Sequence, residues 1–188
     1  PISAKMTDVP GHTSGLIDVL VKNGIKFLHL GCNPASNPPE VPMLFWWEDL
    51  SGNRVLTMYN KEYGSSALPP EGWKYPVWLA MQQTYDNVGP QGPDVIYNLE
   101  KEVEGNELKV GTMDDFYNEI VKCDLSDLPV VRGEIGDTWI HGEGSYPVEV
   151  GVMRRTREKL KELRKLPGYG GKEILAKADE AYENMLLF

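Results

Sequence analysis

The chain is predicted to form an α/β fold: an incomplete, distorted β/α barrel of mostly parallel strands, followed by C-terminal helices. Two observations lead to this prediction. A strand, a helix and a second strand fit within residues 2–31, and so short a βαβ unit joins two parallel strands. Several strand-like segments also end in polar residues, among them Asp8, Asn33 and Asn60, and the ends of parallel strands are expected to gather these side chains at one mouth.

The first unit has clear local signals. Residues 2–7 are the predicted first strand, a Pro-Gly turn follows, and residues 14–23 carry the apolar spacing of a helix that Gly24 ends. Residues 25–31 alternate between apolar and polar side chains and are predicted to be the second strand. The chain therefore crosses from one parallel strand to the next through a helix.

A hairpin and a further strand are predicted next. Residues 45–48 and 54–59 are extended segments joined by a Ser-Gly-Asn turn, and we expect them to form a hairpin or a meander inserted before the barrel resumes. Residues 77–85 suit a buried strand or a short helix. The strand is preferred because Asp86 and Asn87 then follow its C-terminal end.

The next region alternates between helices and strands. Thr112 is predicted to cap a helix, since Asp115 stands three residues later as a short version of the capping box. The predicted elements are helix 94–104, strand 108–111, helix 113–122 and strand 129–134.

The last part of the chain is helical. Residues 148–166 are basic with interleaved glutamates, as in a solvated helix face, and residues 174–188 form a final helix. Residues 1–147 are thus predicted to be a partial barrel domain, and residues 148–188 a helical segment of the same or a following domain. The chain looks like a piece of a longer protein. Because an incomplete barrel exposes unpaired strand edges, self-association or missing flanking segments are expected.

Composition excludes several classes of partner. The net charge is −9, which disfavours nucleic acid and anionic membrane surfaces. No apolar run approaches the roughly 20 residues needed to span a bilayer, and the segment contains no signal peptide, which leaves the compartment open. The two cysteines are far apart and are expected to be free thiols. Five Trp and nine Tyr suit the binding of sugar rings as well as a core.

The candidate functional residues begin at residues 8–13, Asp-Val-Pro-Gly-His-Thr. Asp8 is a metal ligand, a nucleophile or a helix cap, and His12 is a ligand, an orienting partner of Asp8 or a structural residue. Glu134 or Asp137 is a general acid opposite Asp8, since paired carboxylates cleave glycosidic bonds. The alternatives are an ion pair for Glu134 and a turn for Asp137. His29 lies inside a strand and is expected to be structural.

Four segments resemble, in the same order, the motifs of glycoside hydrolase family 38, the retaining α-mannosidases. Residues 8–13 resemble its Asp-x-Phe-Gly-His-Ser signature, and residues 86–90 resemble its Gly-Asp-x-Gly-Gly-Pro loop. Residues 109–117 resemble its strand-Thr-x-x-x-(Phe/Tyr) step, and residues 133–142 are similar to its Gly-Asp/Glu…Asp-x-(Tyr)-Trp-x-Gly segment. A bacterial family-38-like group is similar over nearly all of the chain.

The resemblance implies a distorted β/α barrel with a zinc ion in its site. By this match Asp8 is the nucleophile and a zinc ligand, and Asp137, with Glu134 as the second choice, is the general acid. The residues that the match places near the substrate are His12, Asp86, Asn87, Trp139 and His141.

Two departures limit what the resemblance implies. The family's His-x-Asp zinc pair has no counterpart before Asp8, and its downstream zinc histidine has none in this chain. Asp8 is therefore the one member of the zinc set present, and the isolated segment is expected to bind zinc poorly and to be inactive, since zinc needs three or four protein ligands. Pro10 also replaces an aromatic residue of the family's sugar site.

The resulting hypothesis is a fragment of a retaining, zinc-assisted, α-mannosidase-like glycoside hydrolase that acts on a carbohydrate substrate through a carboxylate pair. The alternatives are a metal-dependent, polysaccharide-deacetylase-like barrel and a non-catalytic carbohydrate-binding domain. Retaining hydrolysis needs carboxyl groups about 5 Å apart, so the placement of Asp8 against Glu134 and Asp137 discriminates between them.

Overall fold

A computed structural model describes residues 1–9, 11–83, 90–136 and 146–186. It divides into two compact units, Pro1–Trp139 and Ile140–Phe188. The strands of the first unit are β1 (Ser3–Thr7), β2 (Phe27–Gly31), β3 (Leu44–Glu48), β4 (Arg54–Asn60) and β5 (Val130–Arg132). Its helices are α1 (Gly15–Lys22), α2 (Asp94–Glu102) and α3 (Met113–Ile120). The second unit contains α4 (Pro147–Leu163) and α5 (Lys172–Leu186), which contact each other.

The strands form one open sheet in the order β1-β2-β4-β3-β5. β1 pairs in parallel with β2, and β2 pairs in parallel with β4. β3 is antiparallel to β4, and β5 is parallel to β3. The α/β class and the predominance of parallel pairs are confirmed. The described residues show no closure of the sheet into a barrel, because β1 and β5 form its two edges.

Three parallel strands end together at one end of the sheet. Thr7, Gly31 and Asn60 are register partners, so β1, β2 and β4 stop at the same level. β3 runs the opposite way and begins near this level, where Leu44 pairs with Met58, whereas β5 begins further in, opposite Trp46. We call the end of the sheet where β1, β2 and β4 stop the carboxyl edge. Chain segments that leave β1, β2 and β4 therefore meet there.

The sheet is buried on both faces. On one face Ile17 and Leu20 of α1 pack against residues such as Leu30 and Trp47. On the other face Phe116 and Ile120 of α3 pack against Phe27, Leu56 and Met58. Every residue of β2 is buried, as expected of a strand that is covered on both sides. Burial of these apolar side chains is the main stabilising term of the first unit.

The hairpin is confirmed, but its place in the sheet differs from the prediction. β3 and β4 are antiparallel neighbours, and β4 also pairs with β2 at the centre of the sheet. The hairpin is thus part of the sheet rather than an insertion. The predicted final strand is β5, which is parallel to β3 and therefore runs opposite to β1, β2 and β4, so its C-terminal end does not lie with theirs.

Two predicted strands are wrong. Residues 77–83 form no strand, and the remainder of the predicted strand, 84–85, lies outside the described residues. Their apolar side chains, such as Val77 and Leu79, are covered by packing against the α3-side core, and a short apolar run does not reveal whether pairing or packing buries it. Residues 108–111 also form no strand, and Val110 is 72% exposed.

The predicted helices are confirmed with small shifts in their ends. Thr112 and Asp115 form the expected reciprocal capping box at the start of α3. α2 buries none of its own residues, although Val103 directly after it is buried. Within the described ranges, no helix combines the length and apolar character that a membrane crossing requires. The division into residues 1–147 and 148–188 stays a prediction.

Candidate functional site

Asp8 follows β1 directly and has a left-handed backbone, with φ at 61°. Few residues other than glycine adopt this conformation, although Asp and Asn tolerate it better than most. The Asp8 N–H donates to the carbonyl of Gly31 at 3.2 Å, which extends the β1–β2 pairing by one residue. The sheet thus fixes the backbone of Asp8 at the carboxyl edge.

The carboxylate of Asp8 is held from two other strand ends. Its Oδ1 accepts a hydrogen bond from the hydroxyl of Tyr63 at 2.7 Å and one from Nδ2 of Asn33 at 3.0 Å. Nδ2 of Asn33 also donates to the hydroxyl oxygen of Tyr63 at 2.9 Å. Asn33 follows β2 and Tyr63 follows β4, so three parallel strands contribute to one cluster. The pattern of polar strand ends predicts the meeting of Asp8 and Asn33 but not Tyr63.

Tyr63 reaches Asp8 because Gly31 has no side chain. A Cβ atom at Gly31 would lie 2.9 Å from the carbonyl oxygen of Glu62 and 3.0 Å from both Cα and the carbonyl oxygen of Tyr63. Real Cβ atoms essentially never come closer than this, so the loop after β4 crosses β2 at a residue that has no side chain. This close approach of backbone to backbone is a common use of glycine in a strand.

Lys5 holds the backbone of Tyr63, and His29 in turn contacts Lys5. Nζ of Lys5 donates to the carbonyl of Tyr63 at 2.7 Å and lies 2.8 Å from Nδ1 of His29. Lys5 and His29 are register partners on β1 and β2, so their side chains lie next to each other on the face of the sheet that α3 covers. Tyr63 is therefore bound at its carbonyl by Lys5 and at its hydroxyl by Asp8.

Burial sets the protonation of this pair. Desolvation lowers the pKa of Lys5 to about 8. Desolvation and the charge of Lys5 lower the pKa of His29 to about 3, opposed by the carboxamide of Asn60, so the imidazole is neutral at pH 7. A charged Lys5 must donate to Nδ1, which assigns the imidazole proton to Nε2. The structural role predicted for His29 therefore includes a hydrogen bond that orders the site.

Glu134, one of the two candidate general acids, is bound elsewhere. Its carboxylate accepts hydrogen bonds from the N–H of Ser14 at 3.0 Å and from Oγ of Ser14 at 2.9 Å. Bonds from the side chains of Ser14 and Thr13 and from the Ser14 backbone lower the pKa of Glu134. Glu134 is exposed and caps the start of α1. Asp8 and Glu134 accept hydrogen bonds from separate sets of donors.

His12 joins the two ends of the first unit through its backbone. Its N–H donates to the carbonyl of Ile135 at 2.6 Å, and the N–H of Ile135 donates back at 2.9 Å. Trp47 also donates its Nε1–H to the carbonyl of Gly133. These contacts bring Glu134 to α1 although β5 itself ends at the opposite edge of the sheet. His12 is 8% exposed, and its role toward a substrate stays a prediction.

The other predicted site residues lie outside the described residues. They are Asp86, Asn87, Asp137, Trp139 and His141, and Pro10 lies there as well. Their roles stay predictions.

The described residues that contact Asp8 do not by themselves fit a zinc ion, and the zinc expected in the complete protein stays a prediction. In the described part of the chain, no three His, Cys, Asp or Glu side chains are grouped as metal ligands. The side chains that contact Asp8 are an amide NH₂ and a phenol that donate hydrogen bonds to its carboxylate. Zinc sites in proteins are built from three or four His, Cys or carboxylate ligands.

No protein-family model matches the chain. No curated protein matches it either.

Proposed function

We propose that the chain belongs to a retaining glycoside hydrolase and supplies its nucleophilic carboxylate, Asp8, at the carboxyl edge of the sheet. The observation that carries the proposal is the binding of Oδ1 of Asp8 by Tyr63 and Asn33. Among the described residues, the two side chains that donate to the Asp8 carboxylate both bind Oδ1. Oδ2 is therefore the oxygen that we propose attacks the sugar. The resemblance to glycoside hydrolase family 38 supports the same role for Asp8.

In the proposed reaction, Oδ2 of Asp8 attacks the anomeric carbon as the bond to the leaving oxygen breaks, and a second carboxylic acid protonates that oxygen. The resulting glycosyl ester is hydrolysed by water, which the second residue deprotonates. Tyr63 and Asn33 hold Asp8 in orientation and stabilise its charge when the ester is cleaved. Asp8 is a free carboxylate both before the ester forms and after it is hydrolysed, and Tyr63 and Asn33 donate to it in both states.

The second carboxyl group in this proposal is Asp137. A general acid needs a proton at working pH, whereas the bonds that Glu134 accepts from Ser14 lower its pKa and hold it at the start of α1. Asp137 is also the residue that the resemblance favours by its spacing to Trp139. In the complete protein we propose that further segments extend the open sheet at β1 and β5 into a distorted barrel.

A mechanism-based probe tests the role of Asp8. A 5-fluoroglycosyl fluoride of manno configuration slows hydrolysis of the ester, so the glycosylated residue is found by peptide mass spectrometry. We expect the label on the peptide that contains Asp8 and its loss in Asp8→Asn, which preserves side-chain shape and tolerates φ above zero. Asp18→Asn is the control, because Asp18 pairs with Lys22 on the solvent-exposed side of α1. The experiment uses the longest natural form of the protein, and a label on another carboxylate removes Asp8 from the mechanism.

A non-catalytic carbohydrate-binding domain is the second candidate. The observation that favours it is the engagement of Glu134 with Ser14, since a binding domain needs no acid opposite Asp8. Under this candidate, Asp8→Asn leaves sugar binding intact and no fluoroglycoside labels the protein.

A further inference from the structure

A second feature of the carboxyl edge lies beside β3 and β5, away from the Asp8 cluster. It is a cleft of about 340 Å³ between the loop that follows β4 and the amino ends of β3 and β5. Its walls include two aromatic residues, one lysine and two carboxylates: Trp73, Tyr75, Lys74, Glu71 and Asp127. The volume lies at the lower end of the range of small-molecule sites, roughly 300 to 1,000 Å³.

The aromatic wall of the cleft is fixed by the fold. The N–H of Trp73 closes a turn onto the carbonyl of Pro70, and its indole N–H donates to the carbonyl of Val77 at 2.9 Å. The ring of Trp73 meets those of Tyr75 and Trp78 edge-on, with centroids 5.2 and 4.9 Å away. A ligand that enters the cleft therefore meets rings that are already ordered, which lowers the entropic cost of binding.

The charged wall of the cleft is open to solvent. Nζ of Lys74 lies 3.5 Å from a carboxylate oxygen of Asp127, and their side chains are 56% and 80% exposed. So exposed an ion pair contributes little to stability. It instead presents donors and acceptors at the rim of an aromatic surface. Charges of both signs disfavour an anionic ligand, and the polar rim disfavours a purely apolar one.

We infer that this cleft binds one ring of a neutral oligosaccharide, whose C–H face packs on Trp73 while its hydroxyl groups bond to Lys74 and Asp127. Aromatic faces and alternating donors and acceptors are the two surfaces that a sugar ring recognises. The choice of a sugar as the ligand rests on the proposed function. The cleft would bind a sugar unit of the substrate that lies away from the bond cleaved at Asp8. The cleft and Asp8 share one edge of one sheet.

Calorimetric titration with mannotriose, cellotriose and triacetylchitotriose, all of them neutral, tests the aromatic wall. Trp73→Leu is compared with Trp46→Leu, since each variant loses a partly buried indole ring packed against the same core but only Trp73 lines the cleft. We expect affinity for at least one trisaccharide to fall about tenfold in Trp73→Leu. Trp46→Leu should bind like the wild type. Equal affinities of Trp73→Leu and the wild type overturn the inference.

A second pair of variants tests the charged wall. This pair also tests the binding of a sugar in the cleft if Trp73→Leu does not fold. Asp127→Asn is compared with Glu119→Gln, another exposed carboxylate paired with a lysine but outside the cleft. We expect Asp127→Asn to weaken binding several-fold at unchanged melting temperature, and Glu119→Gln to leave binding unchanged. Identical binding by these two variants contradicts the inference, as does a wild type that binds none of the trisaccharides.

The two proposals fail in different ways. Binding that depends on Trp73 and Asp127, with no fluoroglycoside label on Asp8, supports the cleft and removes the hydrolase mechanism. A label on Asp8, with trisaccharide affinities unaffected by substitution at Trp73 or Asp127, supports the mechanism and removes the cleft.

Discussion

At the scale of single residues, Asp8 combines an unfavourable backbone with a well-held side chain. Its left-handed φ of 61° is stabilised by the bond from its N–H to Gly31 and by the two bonds to its Oδ1. Strained residues that the surroundings hold in place are frequent at functional sites. The two contributions can be separated by substitution, because glycine relieves the backbone strain and alanine does not.

We predict that Asp8→Gly is more stable than Asp8→Ala by about 1 kcal/mol. Both variants lose the carboxylate, and only alanine keeps a Cβ in the left-handed region. The free energy of unfolding in urea, measured for the two variants side by side, provides the test. Equal stabilities would mean that Asp8→Ala relaxes to a different backbone conformation.

A pH dependence follows from His29. Its pKa is about 3 in the folded chain and near the ordinary 6.5 when unfolded, so between these values the unfolded chain binds the extra proton. Stability therefore falls as the pH drops from 6.5 toward 3, with a contribution of up to about 1.4 kcal/mol per pH unit. His29→Gln keeps an acceptor for Lys5 and removes this titration. Denaturant unfolding between these pH values should show a shallower decline for the variant, and parallel declines would contradict the assignment.

Lys5 titrates in a different window. Its pKa falls from 10.5 to about 8 on folding, so the unfolded chain binds the extra proton between these values and stability rises with pH there. His29→Gln should leave that rise in place, which makes the alkaline range an internal control for the acidic one.

At the scale of elements, the site depends on a crossing of backbones. The loop after β4 passes over β2 at Gly31, where Tyr63 comes within 3.0 Å of the position of a Cβ. α1 provides a second case, since Glu134 accepts hydrogen bonds from the backbone N–H and the hydroxyl of Ser14 at its start. In both cases one element is completed by a residue from a distant part of the chain.

We predict that Gly31→Ala destabilises the first unit by about 1 to 3 kcal/mol, because the added methyl group overlaps backbone that cannot rotate away. It should also move Tyr63 off Asp8, so that labelling by the fluoroglycoside slows. Gly170→Ala is the control, since a Cβ there meets nothing within 4 Å. Urea unfolding and labelling rates give the two readouts, and a fully stable Gly31→Ala would refute the close approach.

At the scale of the whole molecule, burial is uneven. β2 and β4 are central strands whose residues are almost all buried, whereas β1 and β5 have partly exposed residues and one open side each in the described sheet. α2 contributes no buried residue of its own. The stability of backbone hydrogen bonds should follow this order, because opening a central strand exposes more apolar surface.

Amide hydrogen exchange is the measurement that tests this order. We predict the slowest exchange in β2 and β4, intermediate exchange in β1 and β5, and the fastest exchange of these elements in α2. Protection of α2 equal to that of β2 would require that α2 be covered by a surface of another molecule or by a further segment of the protein.

Local patterns were enough for much of the fold. Alternation and helical spacing identified β1, α1, β2 and the β3–β4 hairpin, and the Thr112–Asp115 capping box was readable from the sequence. These features depend on residues close together in the chain, so their signals survive without knowledge of the tertiary structure. The polar ends of β1 and β2 likewise predicted that Asp8 and Asn33 meet.

Contacts between distant residues decided the rest. Tyr63 binds Asp8 across 55 residues, and Glu134 binds Ser14 across 120 residues. The reversed direction of β3 and β5 and the open sheet depend on which strands pair, and the loop of residues 77–83 is buried by packing rather than by pairing. No local pattern encodes a partner so far away, because the free energy of such a contact exists only once the sheet has brought its two sides together.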